Sequence, residues 1–182
     1  MNKDFWDSQN LNDFLDIDPQ DVVESEVVEH DKAATERSTA RRIALQVLYE
    51  VDSAHHDVGT VITTHLAENE VSRKALSYLR RLVTGVIANR QRLDEVIQQY
   101  APEWPLDQVA IIDRNILRMA LFELAVQART PIRVAIDEAV ALARLFGADG
   151  ATRFVNGVLG SLADDIDALR QQLATPDGES DE

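Results

Sequence analysis

The sequence contains no cysteine. That absence excludes a disulfide scaffold, a thiol nucleophile and any cysteine-ligated zinc or iron–sulfur centre. Glycine is scarce, seven in 182 residues, and none falls in a G-x-G-x-x-G or G-x-x-x-x-G-K-[ST] phosphate loop. No run approaches the ~18 consecutive apolar residues of a membrane span. The opening Met1-Asn2-Lys3-Asp4 lacks the apolar core of a signal peptide, so a cytoplasmic protein is expected. The carboxylate pairs Asp94-Glu95, Asp137-Glu138 and Asp164-Asp165 are sequence neighbours, which splay apart by about 100° on a helix. They make no acid/base pair. No catalytic residue, cofactor or metal is expected.

What is present begins with uneven charge. The formal net charge is −14, but residues 1–36 hold eleven Asp/Glu against Lys3 and Lys32. Residues 174–182 add Asp177, Glu179, Asp181 and Glu182. The middle, 37–173, is nearly neutral, so the acidic total does not argue against a nucleic-acid partner. The expected organisation is an acidic disordered arm over 1–36, a helical domain over 37–173 and an acidic tail over 174–182. In the arm, the apolar groups Phe5-Trp6, Phe14-Leu15, Val22-Val23 and Val27-Val28 are too sparse for a core.

Between the tails the period is helical. Ile43, Ala44, Val47, Leu48 and Val51 follow the i, i+3, i+4, i+7 rule, and Leu79, Leu82, Val83, Val86, Leu93, Val96, Ile97 and Tyr100 predict one long helix. Ile112, Ile116, Leu117, Ala120, Leu121 and Leu124 predict another. Breaks fall at Pro102 and Pro105, Thr130-Pro131, and Gly147 with Gly150. Asp107, Thr130 and Asp149 are candidate N-caps, and Pro131 suits a first helical position. The expectation is an all-α bundle of about six or seven helices.

Two local features invite chemistry, and two others have plainer readings. Arg37 and Arg41 share a helix face, with Arg42 beside them, on first turns where the macrodipole prefers acids. They suit a phosphate backbone through guanidinium contacts, or else form a solvated edge. Arg153-Phe154 follows a glycine-flanked loop, Gly147-Ala148-Asp149-Gly150. Free backbone N–H groups there suit phosphate and Phe154 suits an unpaired base, unless Phe154 is ordinary core. Gly157-x-x-Gly160 reads as close helix packing. Asp52, His55, His56 and His65 can be imagined as a metal cluster, but polar surface at a helix end is the plainer reading.

The sequence resembles the NusB family of transcription antitermination factors. The resemblance is carried by Ala40-Arg41-Arg42-Ile43-Ala44-Leu45-Gln46-Val47-Leu48-Tyr49, Gly85-Val86 with Asn89, and Ile116-Leu117-Arg118-Met119-Ala120-Leu121-Phe122-Glu123-Leu124. It continues through Pro131, Val134-Ala135-Ile136-Asp137-Glu138-Ala139-Val140, Phe146-Gly147 and Phe154-Val155-Asn156-Gly157-Val158-Leu159. It implies two helical subdomains without catalytic activity. It also implies binding of single-stranded boxA RNA in ribosomal RNA transcripts, together with the small ribosomal-subunit protein NusE and elongating RNA polymerase. Carried over by residue, the RNA-facing set is Arg37, Arg41, Arg42, Tyr100, Gly150, Arg153 and Phe154. The NusE-facing set is Tyr49, Asp107 and Asp113. Ser38 and Thr39 stand where many members carry arginine, and Gly150 where an acid is known, changes that push RNA affinity in opposite directions. The oligomeric expectation is monomer or homodimer.

The arm suggests a further expectation: tethered directly to Arg37, its negative charges compete with RNA for the arginine face, although a purely solvating tail is the alternative. Two other functional classes fit less well. The RNA-recruiting domain of a ribosomal RNA cytosine methyltransferase needs a catalytic domain with cysteines and a glycine-rich cofactor loop, which these residues do not supply. A purely structural helical partner would use its arginines only for solubility.

Overall fold

The computed structural model describes the backbone of residues 19–174 and side chains from residue 34 onward. Eight α-helices are present among the described residues: α1 (Pro19–Ala54), α2 (Val58–Glu68), α3 (Arg73–Ala88), α4 (Arg90–Tyr100), α5 (Ile111–Leu121), α6 (Ile132–Phe146), α7 (Ala151–Asp164) and α8 (Ile166–Ala174). A π-helical segment, Phe122–Gln127, extends α5. The chain divides into two units at the Glu36–Arg37 junction.

Helix α5 is the hub. It packs against α3, α4, α6 and α7, and every residue from Asn115 to Leu121 is buried. A helix surrounded on all sides needs no polar face, which is why Ile116-Leu117-Arg118-Met119-Ala120-Leu121 reads apolar throughout except at Arg118. That guanidinium is 2% exposed and fully paired, to Asp94 at 2.6 and 2.7 Å and to Asp52 at 2.7 Å. The buried apolar side chains of the helices form one continuous core.

The helix expected along residues 79–100 is broken at Asn89, and this raises the count above six or seven. The Asn89 side chain donates to the Gly85 carbonyl at 2.8 Å, and its backbone (φ −107°, ψ 11°) leaves the helical path. An amide that satisfies a last-turn carbonyl ends α3 and lets α4 start at a new angle. The three candidate N-caps also move. Helices α5, α6 and α7 are preceded by Ala110, Pro131 and Gly150, none with a side-chain cap. The Thr130 hydroxyl is instead bonded to Glu123 at 2.9 Å, and Pro131 lies one position before the first helical residue. Asp57 and Ser72 do cap, accepting from the N–H of Thr60 and Ala75 in α2 and α3.

The bounds of α1 take in Pro19–Glu36, part of the stretch read from the sequence as an arm. Extending a formed helix costs far less than nucleating one, and nothing after Pro19 breaks it. Residues 1–18, with Phe5-Trp6 and Phe14, lie outside the described residues. So does the expected acidic tail beyond Ala174.

Candidate nucleic-acid interface

Arg41 is not available to a phosphate. It is 3% exposed, and its Nε and Nη2 donate to the two Glu123 carboxylate oxygens at 2.9 and 2.8 Å. A second carboxylate, Glu138, lies 3.6 Å away, and the guanidinium sits 5.3 Å above the Tyr78 ring. Tyr78 and Thr130 donate to the same Glu123 oxygen. Burial disfavours the charged Arg41 guanidinium, but the Glu123 hydrogen bonds and charge outweigh it, so the net shift is upward. Burial, then Glu123, pushes the Tyr78 phenol up. The π-helical turn delivers Glu123 to this cluster, with the Ala128 N–H bonding the Glu123 carbonyl at 3.1 Å. Arg37 and Arg42, by contrast, are exposed.

A second group gathers where α5 and α7 begin. Trp104, Gln108, Asp113, Gly150, Arg153 and Phe154 line a half-open cavity of about 430 Å³. Gly150 takes φ +90°, a left-handed conformation that suits glycine, and leads into α7, which has no side-chain cap and whose first N–H, that of Ala151, donates to the Ala148 carbonyl at 3.0 Å. Arg153 is exposed, whereas Phe154 is half-buried against the core. Phe154 thus both packs against the core and lines the cavity. Trp104 meets it edge-on, with centroids 6.1 Å apart at 66°.

Asp113, which the resemblance assigns to the partner-facing set, is 8% exposed and lines this cavity with Gly150, Arg153 and Phe154. Burial pushes its carboxyl up. Asp107 is exposed and lines a separate open groove with Arg90, Gln98 and Arg114; Tyr49 is exposed on α1. The Tyr100 hydroxyl donates to Asp165 at 2.8 Å. Asp165 follows Arg153 by twelve positions, about 18 Å along a helix, so Tyr100 and Arg153 mark opposite ends of α7.

The imagined metal cluster disperses. Asp52 is bound by Arg118 and Arg90, while His56 and His65 both reach Glu50, at 2.8 and 3.2 Å. Among the described residues no group of three or more His, Asp or Glu is placed to hold a metal. The close-packing reading of Gly157 and Gly160 is also corrected: both are exposed, and a Cβ on either would meet nothing within 4 Å.

Residues 38–164 match the NusB family model. The chain belongs to the NusB family. A relative from Chloroflexus aggregans, the transcription antitermination protein NusB, is 43% identical over 133 residues, which cover 72% of this chain and 89% of that one. Among solved structures, NusB of T. maritima aligns at a TM-score of 0.64 with 29% identity, covering 76% of this chain and 93% of its own. A structure of antitermination factors NusB and NusE in complex with double-stranded RNA aligns at 0.63 with 26% identity, covering 76% and 98%. In this NusB protein, no described helix is long and apolar enough to cross a membrane.

Sequence reasoning missed Trp104 and Gln108. The signal for Trp104 was present: a large aromatic held between Pro102 and Pro105 cannot sit in a helix interior. It is 60% exposed and lines the cavity rather than the core.

Proposed function

We propose that this NusB protein is a non-catalytic adaptor in the cytoplasm. It binds boxA-type single-stranded RNA of ribosomal RNA transcripts together with NusE, and acts with it on elongating RNA polymerase to suppress termination. The observation that carries the reading is the cavity at the start of α7. An exposed arginine, two aromatic rings and a helix start without a side-chain cap converge there, the combination that suits an unpaired base and its phosphate. The solved relative containing NusE and RNA supports both partners. Arg37, Arg42, Arg153, Phe154 and Tyr100 form the proposed RNA-facing set, with Gly150 shaping the loop; Arg41 holds the fold beneath it. Tyr49 and Asp107 form the proposed NusE-facing set.

The test is a titration of labelled boxA-like RNA against the full chain, with and without the purified ribosomal partner. Binding that weakens as salt rises, and tightens when the partner is added, is expected. Equal affinity for a scrambled RNA, with no partner effect, would overturn the reading.

A further inference from the structure

Three features of the cavity at the start of α7 remain unsatisfied within the chain. The Asp113 carboxylate is buried, and its Oδ1 has no hydrogen-bond partner. Leaving such a group unpaired costs free energy that a ligand with N–H donors can return. Helices α5 and α7 both begin here without a side-chain cap, at Ala110 and Gly150. Helix starts without a cap favour an anion nearby; at α5 the first-turn Asp113 is one, whereas the first turn of α7 has no acid. Trp104 is exposed and touches Phe154 only edge-on, which leaves ring surface for a third planar group.

Building on the RNA-binding reading above, we propose that this cavity takes one unstacked nucleobase, held against Trp104, with the Asp113 carboxylate accepting the N–H donors of its Watson–Crick edge. Guanine fits best, because its ring N–H and exocyclic amine lie side by side and match the two oxygens of a carboxylate. The phosphate of the same nucleotide meets Arg153 and the positive end of α7. A volume of about 430 Å³ falls within the ~300–1,000 Å³ of small-ligand sites. The competing occupant, a basic side chain of a protein partner, would also answer Asp113. Arg153 and two positive helix ends repel that charge, so a nucleotide is favoured.

The experiment uses the full chain with Trp6→Phe, which leaves Trp104 as the single tryptophan. RNA is titrated while Trp104 emission is followed, using a set of oligonucleotides with one abasic position walked along the strand. Quenching on binding is expected. At one position, loss of the base should weaken binding about tenfold and abolish the quench, with guanine preferred there over the other three bases. Read by the anisotropy of end-labelled RNA, Trp104→Ala should remove sensitivity to that position, and Trp104→Phe should restore it. Asp113→Asn, an amide that both donates and accepts, should erase the guanine preference without changing affinity for the RNA abasic at that position. Melting curves confirm that each variant is folded.

Binding without quenching, or with every position equally tolerant, overturns the pocket while leaving RNA binding intact. Weakened binding of Trp104→Ala and Asp113→Asn to the ribosomal partner, with RNA binding unchanged, assigns the cavity to a basic side chain and also overturns it. Absence of any RNA binding by the parent chain instead defeats the reading on which the proposal rests.

Discussion

Arg41 and Arg42 are adjacent in sequence and opposite in role. Arg41→Ala strands the Glu123 carboxylate among buried groups, and removing one partner of such a pair costs about 3–5 kcal/mol. Urea unfolding should show that loss for Arg41→Ala and almost none for Arg42→Ala. The latter should instead lower RNA affinity and flatten its salt dependence by about 0.7 in log–log slope. Asp113 has the reverse economy. Burial raises its carboxyl, so the folded state holds the proton more tightly than the unfolded chain. Stability is then greatest below the unfolded carboxyl range and falls as pH rises through the raised folded value. Asp113→Asn should therefore melt higher than the parent at pH 7, with the difference closing under acid. The role of Arg41 was partly legible: it lies three positions before Ala44 and seven before Leu48, on the apolar stripe. Its partner stands 82 residues away, beyond the reach of local pattern.

Among the elements, α3 and α7 carry glycines of opposite kinds. A Cβ on Gly85 would lie 2.1 Å from the Phe122 ring. Gly85→Ala should thus destabilise by about 1–3 kcal/mol through overpacking, despite alanine being the better helix former. Adding Phe122→Leu should recover much of the loss in a thermal melt. On α7, Gly157→Ala and Gly160→Ala meet no neighbour, and each should raise stability by about 0.5–1 kcal/mol. Periodicity located the helices well because core positions recur every three or four residues. It did not locate the break at Asn89, because a capping amide leaves the apolar repeat of Leu82, Val86 and Leu93 nearly undisturbed. Starts were misplaced for a related reason. Asp107, Thr130 and Asp149 have the right chemistry for caps, but at Thr130 a tertiary partner competed for the hydroxyl.

For the whole molecule, charge separates into a nearly neutral body and an acidic N-terminal segment. With Arg41 buried, three exposed arginines of the proposed RNA-facing set remain: Arg37, Arg42 and Arg153. Three phosphate contacts give a slope of about −2 in log affinity against log salt, shallower than four would. A salt titration of a chain lacking residues 1–34 should show it, with the full chain shallower. The shortened chain should associate faster at low salt and converge with the parent as screening grows. Identical rates at low salt would mean that the segment exerts no field on the RNA-facing side. The family and the helical class were readable from motif order alone. The cavity was not, because Trp104, Asp113 and Phe154 come from a loop and two helices that only folding brings together.

The π-helical turn at Phe122–Gln127 has one more implication, for how this lineage can vary in length. Its wider winding accommodates one more residue than a regular helical path, and each residue rotates the downstream chain by about 100°. Shortening this stretch by a single codon would swing the acidic side chain at 123, or the hydroxyl at 130, away from the charge beneath them. Insertions and deletions should therefore accumulate in the connection between Tyr100 and Ile111 and be purged here, which makes this turn a fixed ruler between the two halves of the chain.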